Sequence, residues 1–225
     1  MGLIRKGRAV ASLIPFWIKA APNRNPSSPL SLADLAFNCR GIVPMQVRSE
    51  LLQFAEVVQA IRPSAFLEIG TRNGGTFFLL CRLADPRATV ISLDLPSGAF
   101  GGGYTVFQIP LFQRMKMPGQ KLHLLRADSH KAETRLRVTQ ALQGSSLDLL
   151  FIDGDHTYDG VKLDFEMYSP LVKPGGIVAF HDIVQVDVPD FGVSQFWGQV
   201  KSHHHHREIV EDQGQGWGGI GLVYL

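Results

Sequence analysis

Two short apolar runs in the second half of the chain each end in acidic and imidazole side chains. Leu149–Ile152 is followed by Asp153, and Gly176–Phe180 is followed by His181 and Asp182. Continuous apolar runs of this length are typical of buried parallel strands, whose carboxyl ends form the ligand-binding crevice of a doubly wound sheet. Grouping ionisable side chains there is costly unless a metal or another ligand compensates them. The sequence therefore predicts that the chemistry takes place at this edge.

A second chemical signal is the glycine-rich turn that follows the first predicted strand. Ala65–Ile69 runs directly into the turn Gly70–Thr76, and an apolar helix follows over Thr76–Leu83. Such a turn lets backbone N–H groups approach a phosphate or a nucleotide, but a dinucleotide fingerprint would require glycine at position Arg72. Glu68 would repel a pyrophosphate and could bind an ammonium group, which favours a nucleoside carrying an amino acid. The alternative is that Glu68 pairs with a nearby basic group and the glycines only form a tight turn.

Two further acidic residues stand at the ends of predicted strands. Asp94 follows Thr89–Leu93, ~20 residues beyond the glycine turn, which is the offset of a carboxylate that binds a ribose. Asp128 follows Lys121–Arg126 and could accept a hydrogen bond from an adenine amino group. Each has a structural alternative, because Asp94 could belong to a turn and Asp128 could cap the next helix unless Ser129 does so.

Composition limits the class of protein. The chain has 225 residues and a net charge of +2, which suits one α/β domain with an N-terminal extension and gives no reason to expect nucleic-acid binding. The two cysteines form no disulfide framework, so a reducing cytoplasm is the expected location. No apolar run reaches the ~20 residues of a membrane span. The apolar start, which Pro15 and Lys19 interrupt, predicts an amphipathic arm that packs on the domain or on a partner subunit of a homo-oligomer.

The overall pattern predicts an α/β fold with a doubly wound, Rossmann-like, mostly parallel sheet, helices on both faces and an antiparallel hairpin at the C-terminal edge. The hairpin is predicted from two strands, Arg207–Asp212 and Gly219–Leu225. Residues 1–62 are predicted to form the arm, an irregular segment that either covers the site as a lid or wraps the surface, and the first helices. His203–His206 is expected in a solvated loop. The predicted helices are 32–37, 49–61, 76–83, 111–117, 131–142, 158–169 and 193–201.

Together these motifs resemble the class I S-adenosylmethionine-dependent methyltransferases over residues 65–225. Phe66–Gly74 is similar to that family's first motif, which holds the methionine part of the cofactor, while Asp94 matches its ribose acid and Asp128 the acid near the adenine. The resemblance implies that residues 63–225 form the S-adenosylmethionine-binding methyltransferase domain. The implied cofactor-binding residues are Glu68, Gly70, Thr71, Asn73, Gly74, Asp94, Asp128, Ser129 and Asp153.

Within that superfamily, Phe151–His156 and the Ala-Phe-His-Asp segment that ends at Asp182 resemble the metal-dependent O-methyltransferases. The most similar branch contains antibiotic-sugar O-methyltransferases and cephalosporin-hydroxylase-like proteins. By this resemblance Asp153 and Asp182 are metal ligands and His156 is the general base. His181, at a position where relatives carry a carboxylate or another residue, is the third candidate ligand.

The chemistry that the resemblance implies suits these residue types. Methyl transfer from a sulfonium to a hydroxyl is an in-line displacement that needs alignment and a more nucleophilic oxygen. A divalent cation, Mg²⁺ or Mn²⁺, could orient the oxygens of a small hydroxylated acceptor, such as a sugar or a natural-product hydroxyl, and lower the hydroxyl pKa. His156 is then expected to take the proton near neutral pH without a large pKa shift. The glycine-rich loop 98–104 is expected beside the acceptor.

Three alternatives stay open at this level. Asp153, Asp155 and His156 could form a turn-and-cap network in which Asp155 caps the next helix. The chain could be a methyltransferase-like domain that binds the cofactor without catalysis, although such a domain has no physical need for a metal and a base. It could also be an NAD-dependent oxidoreductase, against which Glu68 and the absent glycine at Arg72 argue.

Overall fold

The computed structural model describes residues 28–98 and 102–225, which form one sheet with helices on both faces. The strands are β1 (Ala65–Ile69), β2 (Thr89–Asp94), β3 (Lys121–Arg126), β4 (Leu147–Ile152), β5 (Val172–His181), β6 (His205–Ile209) and β7 (Ile220–Tyr224). Their order is β3-β2-β1-β4-β5-β7-β6. The first five strands pair in parallel, and β7 pairs antiparallel with both β5 and β6. The predicted fold class is thereby confirmed.

Helices cover the sheet between these strands. They are α1 (Pro29–Phe37), α2 (Arg48–Ile61), α3 (Gly75–Leu83), α4 (Ile109–Phe112), α5 (Ala132–Leu142), α6 (Tyr158–Tyr168) and α7 (Val193–Lys201). None of the helices in the described ranges combines the length and the hydropathy that crossing a bilayer requires. The predicted N-terminal arm and residues 99–101 of the predicted substrate-side loop lie outside the described residues. The predicted boundary after residue 62 falls between α2 and β1, and it stays a prediction.

The central strands are buried on both faces, which explains their continuous apolar sequences. Phe66 and Phe151 pack in the core that α1, α2 and α3 cover, whereas their neighbours Leu67 and Ile152 pack in the core that α5, α6 and α7 cover. Side chains alternate in this way because successive residues of a strand point to opposite faces. The carboxyl ends of β1 and β4 are therefore held rigidly side by side.

Two element predictions are wrong in position. The strand predicted at 207–212 is β6, which begins at His205, so half of the histidine run lies in a strand and not in a loop. Among the described residues this edge strand pairs with β7 alone, and its exposed side chains give no apolar signal. The helix predicted at 111–117 is α4, with Pro110 in its first turn, where a missing N–H leaves no hydrogen bond unmade.

Candidate active site

The carboxyl ends of the parallel strands open into one cleft of about 500 Å³, which is within the usual size range of a small-molecule site. The cleft also receives the segment that precedes α2, through Val43 to Gln46. All of the residues predicted to bind or react line it. They are Glu68, Gly70, Thr71, Asn73, Gly74, Asp94, Asp128, Ser129, Asp153, His156, His181 and Asp182.

The glycine turn brings the ends of β1 and β4 into direct contact. Gly70 has a φ of +89°, a conformation that glycine adopts without steric cost. A β-carbon at this position would lie 1.9 Å from the carbonyl oxygen of Asp153. The Asp153 N–H donates to the carbonyl oxygen of Ile69 at 2.8 Å. Only glycine therefore allows the turn to pack against the strand end that carries Asp153.

Glu68 is a buried carboxylate beneath this turn, with 1% of its surface exposed. Thr71 donates a side-chain hydrogen bond to it, but its Oε2 has no partner among the described residues. Burial raises the pKa of Glu68 well above its usual range, and the carboxylates of Asp153 and Asp94 add to that increase. The described residues thus support a Glu68 carboxylate that lacks a basic partner, contrary to the alternative of an internal ion pair.

Asp94 ends β2 and is held by two backbone donors. Its Oδ2 accepts hydrogen bonds from the N–H groups of Arg72 at 2.6 Å and Tyr104 at 3.4 Å. Burial raises the pKa of Asp94 to about 6, although these N–H groups favour the ionised form. A β-carbon at Gly103 would lie 2.4 Å from the Asp94 carboxyl carbon. Backbone from the loop after β2 therefore packs directly on this carboxylate.

The end of β3 contributes a more polar wall. Asp128 Oδ1 accepts a hydrogen bond from the N–H of His130 at 2.9 Å, so this carboxylate closes a turn. Ser129 does not cap α5, whose N-cap is Lys131 without a side-chain hydrogen bond. His130 stands two residues after Asp128 and is partly buried. Its ring lines the cleft, and its Nε2 lies 3.4 Å from Oδ1 of the buried Asp164.

The ends of β4 and β5 bring two carboxylates and two imidazoles together. His181 Nδ1 lies 3.1 Å from Asp153 Oδ1 and 3.2 Å from Asp182 Oδ2. His156 Nε2 lies 3.5 Å and 3.1 Å from the same two oxygens. One ligand atom from each of Asp153, His181 and Asp182 lies within 4.8 Å of the others. Two carboxylates and an imidazole nitrogen in this arrangement fit a divalent cation, so the donor set suits the metal that the sequence predicts.

Mutual compensation decides the protonation of this cluster. Burial alone would lower the pKa of both imidazoles, but the two carboxylates outweigh it and raise the pKa of His156 to about 9 and that of His181 to about 10. Burial would likewise raise the pKa of Asp153 and Asp182, and the imidazoles outweigh it and lower both. The two facing carboxylates thus favour the protonated form of His156 in this arrangement. The expectation that His156 takes the proton without a large pKa shift applies to the metal-bound site and stays a prediction.

Gln46 is a site residue that sequence reasoning missed. Its Nε2 donates to Asp153 Oδ2 at 2.7 Å, and its Oε1 accepts a hydrogen bond from Thr76 Oγ1 at 2.7 Å. It thereby links α3 to the first candidate ligand. No local pattern could have identified it, because 107 positions separate it from Asp153.

Other predicted site residues make internal contacts at the edge of the cleft. Thr71 Oγ1 lies 2.8 Å from Ser92 Oγ, and Asn73 Nδ2 donates to the carbonyl oxygen of Val43 at 3.2 Å. Asp155 Oδ1 accepts a hydrogen bond from the Thr157 N–H at 2.9 Å, which makes Asp155 a turn residue just before α6. The helix cap itself is Thr157.

Comparison with known proteins places this site in context. A family model described as a methyltransferase domain matches residues 67–183, from Leu67 to Ile183. The uncharacterized protein y4gI of Sinorhizobium fredii is 30% identical over 147 residues, which are 64% of this chain and 16% of that protein. The chain spans about a sixth of the length of the curated relatives that it matches.

Two solved structures share the fold. The O-methyltransferase TomG of Streptomyces achromogenes, which is involved in tomaymycin synthesis and was crystallised with S-adenosylmethionine, has 19% identity and a TM-score of 0.57, covering 93% of this chain and 89% of that one. CalS11, a TDP-rhamnose 3′-O-methyltransferase of calicheamicin biosynthesis, has 19% identity and a TM-score of 0.58, covering 91% and 90%. With the family model matching more than half of its length, this chain belongs to the methyltransferase-domain family.

Proposed function

We propose that this protein is an S-adenosylmethionine-dependent methyltransferase that methylates a hydroxyl oxygen of a small acceptor with the help of a divalent cation. The cation is held by Asp153, His181 and Asp182. The observation that carries the proposal is that the buried carboxylates of β1 and β2 and this Asp-His-Asp cluster line the same cleft. In-line transfer requires the sulfonium methyl group and the acceptor oxygen to be held next to each other, and a shared cleft permits this.

The part of the cleft at the ends of β1 and β2, here called the cofactor end, suits S-adenosylmethionine. It offers hydrogen-bond acceptors to a ligand that brings hydrogen-bond donors. Glu68 would receive the ammonium group of the methionine part, and Asp94 would accept hydrogen bonds from the ribose hydroxyls. Asp128 and Ser129 would lie near the adenine. Each contact would compensate a polar group at a buried strand end. A nicotinamide dinucleotide fits less well, because its pyrophosphate would approach the Glu68 carboxylate.

The part of the cleft at the ends of β4 and β5, here called the metal end, suits activation of an acceptor oxygen. A cation bound there would supply Lewis-acid binding of the acceptor's oxygens, and the Asp-Asp-His donor set favours Mg²⁺ or Mn²⁺, with the imidazole nitrogen favouring Mn²⁺. His156 Nε2 is the imidazole nitrogen beside this ligand set and is the candidate acceptor of the hydroxyl proton. A cation that compensates the charge of the neighbouring carboxylates would lower the pKa of His156 towards the ordinary histidine range. In that range the imidazole acts as a base near neutral pH.

The acceptor would lie beside the metal ligands, between side chains that are largely apolar. Met45 and Trp217 line the cleft and are 50% and 46% exposed. Phe191 stacks on His156 with ring centroids 5.1 Å apart. These surroundings favour an acceptor that combines a hydrophobic face with hydroxyl groups, such as a sugar or a natural-product hydroxyl. The described activity of CalS11 on TDP-rhamnose supports a sugar-bearing acceptor.

Calorimetric titration tests the proposal. S-adenosylmethionine and S-adenosylhomocysteine are titrated into metal-free protein, with and without Mg²⁺ or Mn²⁺. We expect saturable binding of both nucleosides and a separate metal-binding heat that disappears in Asp182→Ala. A folded wild-type protein that binds neither nucleoside contradicts the proposal. Methyl transfer to a hydroxylated acceptor that survives exhaustive chelation contradicts its metal part.

A further inference from the structure

Outside the cleft, the buried carboxylate of Glu50 joins α2 to the C-terminal hairpin. Glu50 lies in the first turn of α2 and is 0% exposed. Its Oε1 accepts hydrogen bonds from the Glu211 N–H at 3.0 Å and from Gln215 Nε2 at 2.8 Å, and its Oε2 accepts one from the Gly219 N–H at 2.8 Å. All three donors belong to the connection between β6 and β7 or flank it. A carboxylate buried this completely depends on such donors.

The peptide next to Gly219 reaches a candidate metal ligand. The Gly218 N–H donates to Asp182 Oδ1 at 2.9 Å, and the Gly218 carbonyl oxygen accepts a hydrogen bond from the Val184 N–H at 3.0 Å. Gly218 and Gly219 have φ values of +75° and +81°, which side chains would disfavour. A β-carbon at Gly219 would lie 2.9 Å from side-chain carbons of Ile183 and Val184. The two glycines thus hold the segment that follows β5.

Asp182 depends on this support because its own backbone is in an unfavourable conformation. Its φ is +60°, in the left-handed region that residues with side chains rarely adopt. Such a conformation persists only where the surrounding structure over-determines it. The hydrogen bond from Gly218 fixes one carboxylate oxygen of Asp182, while Oδ2 lies 3.2 Å from His181 Nδ1.

We propose that Glu50 is a positioning residue for the metal site. By accepting the Gly219 N–H, its carboxylate holds the glycine pair in the conformation that binds Asp182 Oδ1. Asp182 Oδ2 then stays beside His181, where it would be available to hold a cation. The inference rests on the proposed function, since it takes Asp182 as a metal ligand. Residues that orient metal ligands typically change metal affinity by about 10–100-fold when they are altered.

The variant Glu50→Gln tests this role with little change in volume. An amide has one acceptor oxygen and one NH₂ donor. Either the Gly219 N–H or the donors from Glu211 and Gln215 then face another N–H group. We expect the dissociation constant for Mn²⁺, measured by electron paramagnetic resonance on metal-free protein, to rise by about tenfold or more. Binding of S-adenosylhomocysteine should stay unchanged, because Glu50 has no contact with the cofactor end.

Trp197→Phe is the matched control on the other face of the same hairpin. Trp197 Nε1 donates to Glu208 Oε1 at 2.6 Å, and the side chain is 2% exposed. Its replacement loosens β6 without touching the contact from Gly219 to Glu50. We expect Trp197→Phe to lower the melting temperature and to leave Mn²⁺ affinity unchanged. Equal losses of Mn²⁺ affinity in both variants, or no loss in Glu50→Gln, would overturn the role of Glu50.

The wild-type titration separates this inference from the proposed function. If wild-type protein binds no Mn²⁺, the metal part of the function and the role of Glu50 fail together. If wild-type protein binds Mn²⁺ and Glu50→Gln binds it equally well, only the role of Glu50 fails. Should Glu50→Gln not fold, Glu50→Asp keeps the charge and withdraws the carboxylate from Gly219 by one methylene. The same loss of Mn²⁺ affinity is then expected, and unchanged affinity would overturn the inference.

Discussion

The two ends of the cleft carry similar acidic residues but compensate them differently. At the ends of β1 and β2, burial raises the pKa of Glu68 and Asp94, and the hydrogen-bond donors nearby are uncharged. At the ends of β4 and β5, two imidazoles outweigh burial and lower the pKa of Asp153 and Asp182. The first pair is therefore complementary to a ligand that brings hydrogen-bond donors or an ammonium group. The second pair is complementary to a cation, whose charge would take the place of the protons on the two imidazoles.

Asp153→Asn is expected to produce the largest difference between the effect on metal binding and the effect on nucleoside binding. The change removes a charged oxygen ligand, so metal binding is lost and turnover falls by about a thousandfold or more, equivalent to the several kcal/mol that a metal supplies. Affinity for S-adenosylhomocysteine should change little, because Glu68 and Asp94 remain. Calorimetry and a methyl-transfer assay measure both quantities. Equal loss of nucleoside binding would mean that the two ends do not act independently.

His156→Gln tests the proton transfer within the metal end. The variant keeps a polar side chain but cannot act as a base near neutral pH, so kcat should fall by about 10²–10⁴-fold. Wild-type activity should decline as the pH falls through the pKa of His156 in the complex, and this acid limb should disappear in the variant. A pH–rate profile measures it. A variant that keeps both its rate and the acid limb would exclude His156 as the base.

Gln46→Ala sharpens the comparison by loosening one ligand while leaving it in place. The Asp153 Oδ2 oxygen loses its 2.7 Å hydrogen bond from Gln46, and metal affinity should fall by about 10–100-fold. Titration of Mn²⁺ measures the effect, with S-adenosylhomocysteine affinity as the internal control. Unchanged metal affinity would show that Asp153 is oriented by its backbone alone.

The smallest expected effect is on adenosine binding at the cofactor end, and it depends on pH. Adenosine carries the ribose without the amino acid, so its binding isolates Asp94, whose pKa burial raises to about 6. Ribose hydroxyls donate to the ionised carboxylate, so affinity should be full above pH 6 and should fall by up to about tenfold for each unit below it. Asp94→Asn should bind adenosine more weakly and without this dependence. Calorimetric titration of adenosine at pH values above and below 6 measures this dependence. A wild-type affinity that does not change with pH would mean that the ribose binds elsewhere.

Sequence reasoning located the candidate site because its acids have local signals. Asp94 ends the buried strand β2 and Asp153 directly follows the buried strand β4. Asp128 follows the partly exposed strand β3, and the glycine turn stands directly after β1. Parallel strands in one sheet must end at the same edge, so the pattern predicted that these residues would meet. The roles of the individual residues remain predictions that the experiments above address.

The parts that the sequence could not reveal depend on contacts between distant segments. Gln46 and Glu50 reach partners 107 and 169 positions away, and neither stands in a recognisable motif. The pKa of His156 is set by two carboxylates that only the folded chain places together. The start of β6 was misplaced because an exposed edge strand needs no apolar residues.

The contact between Gly70 and the Asp153 backbone constrains how this protein could be redesigned. Any side chain at position 70 would meet the Asp153 carbonyl oxygen, so a mutant library aimed at new cofactor preference would damage the metal end at the same time. Any single substitution at position 70 meets the same restriction, because this residue lies between the two halves of the cleft. Diversification is better directed to the exposed Arg72, where the turn can change its chemistry without displacing the strand beside it.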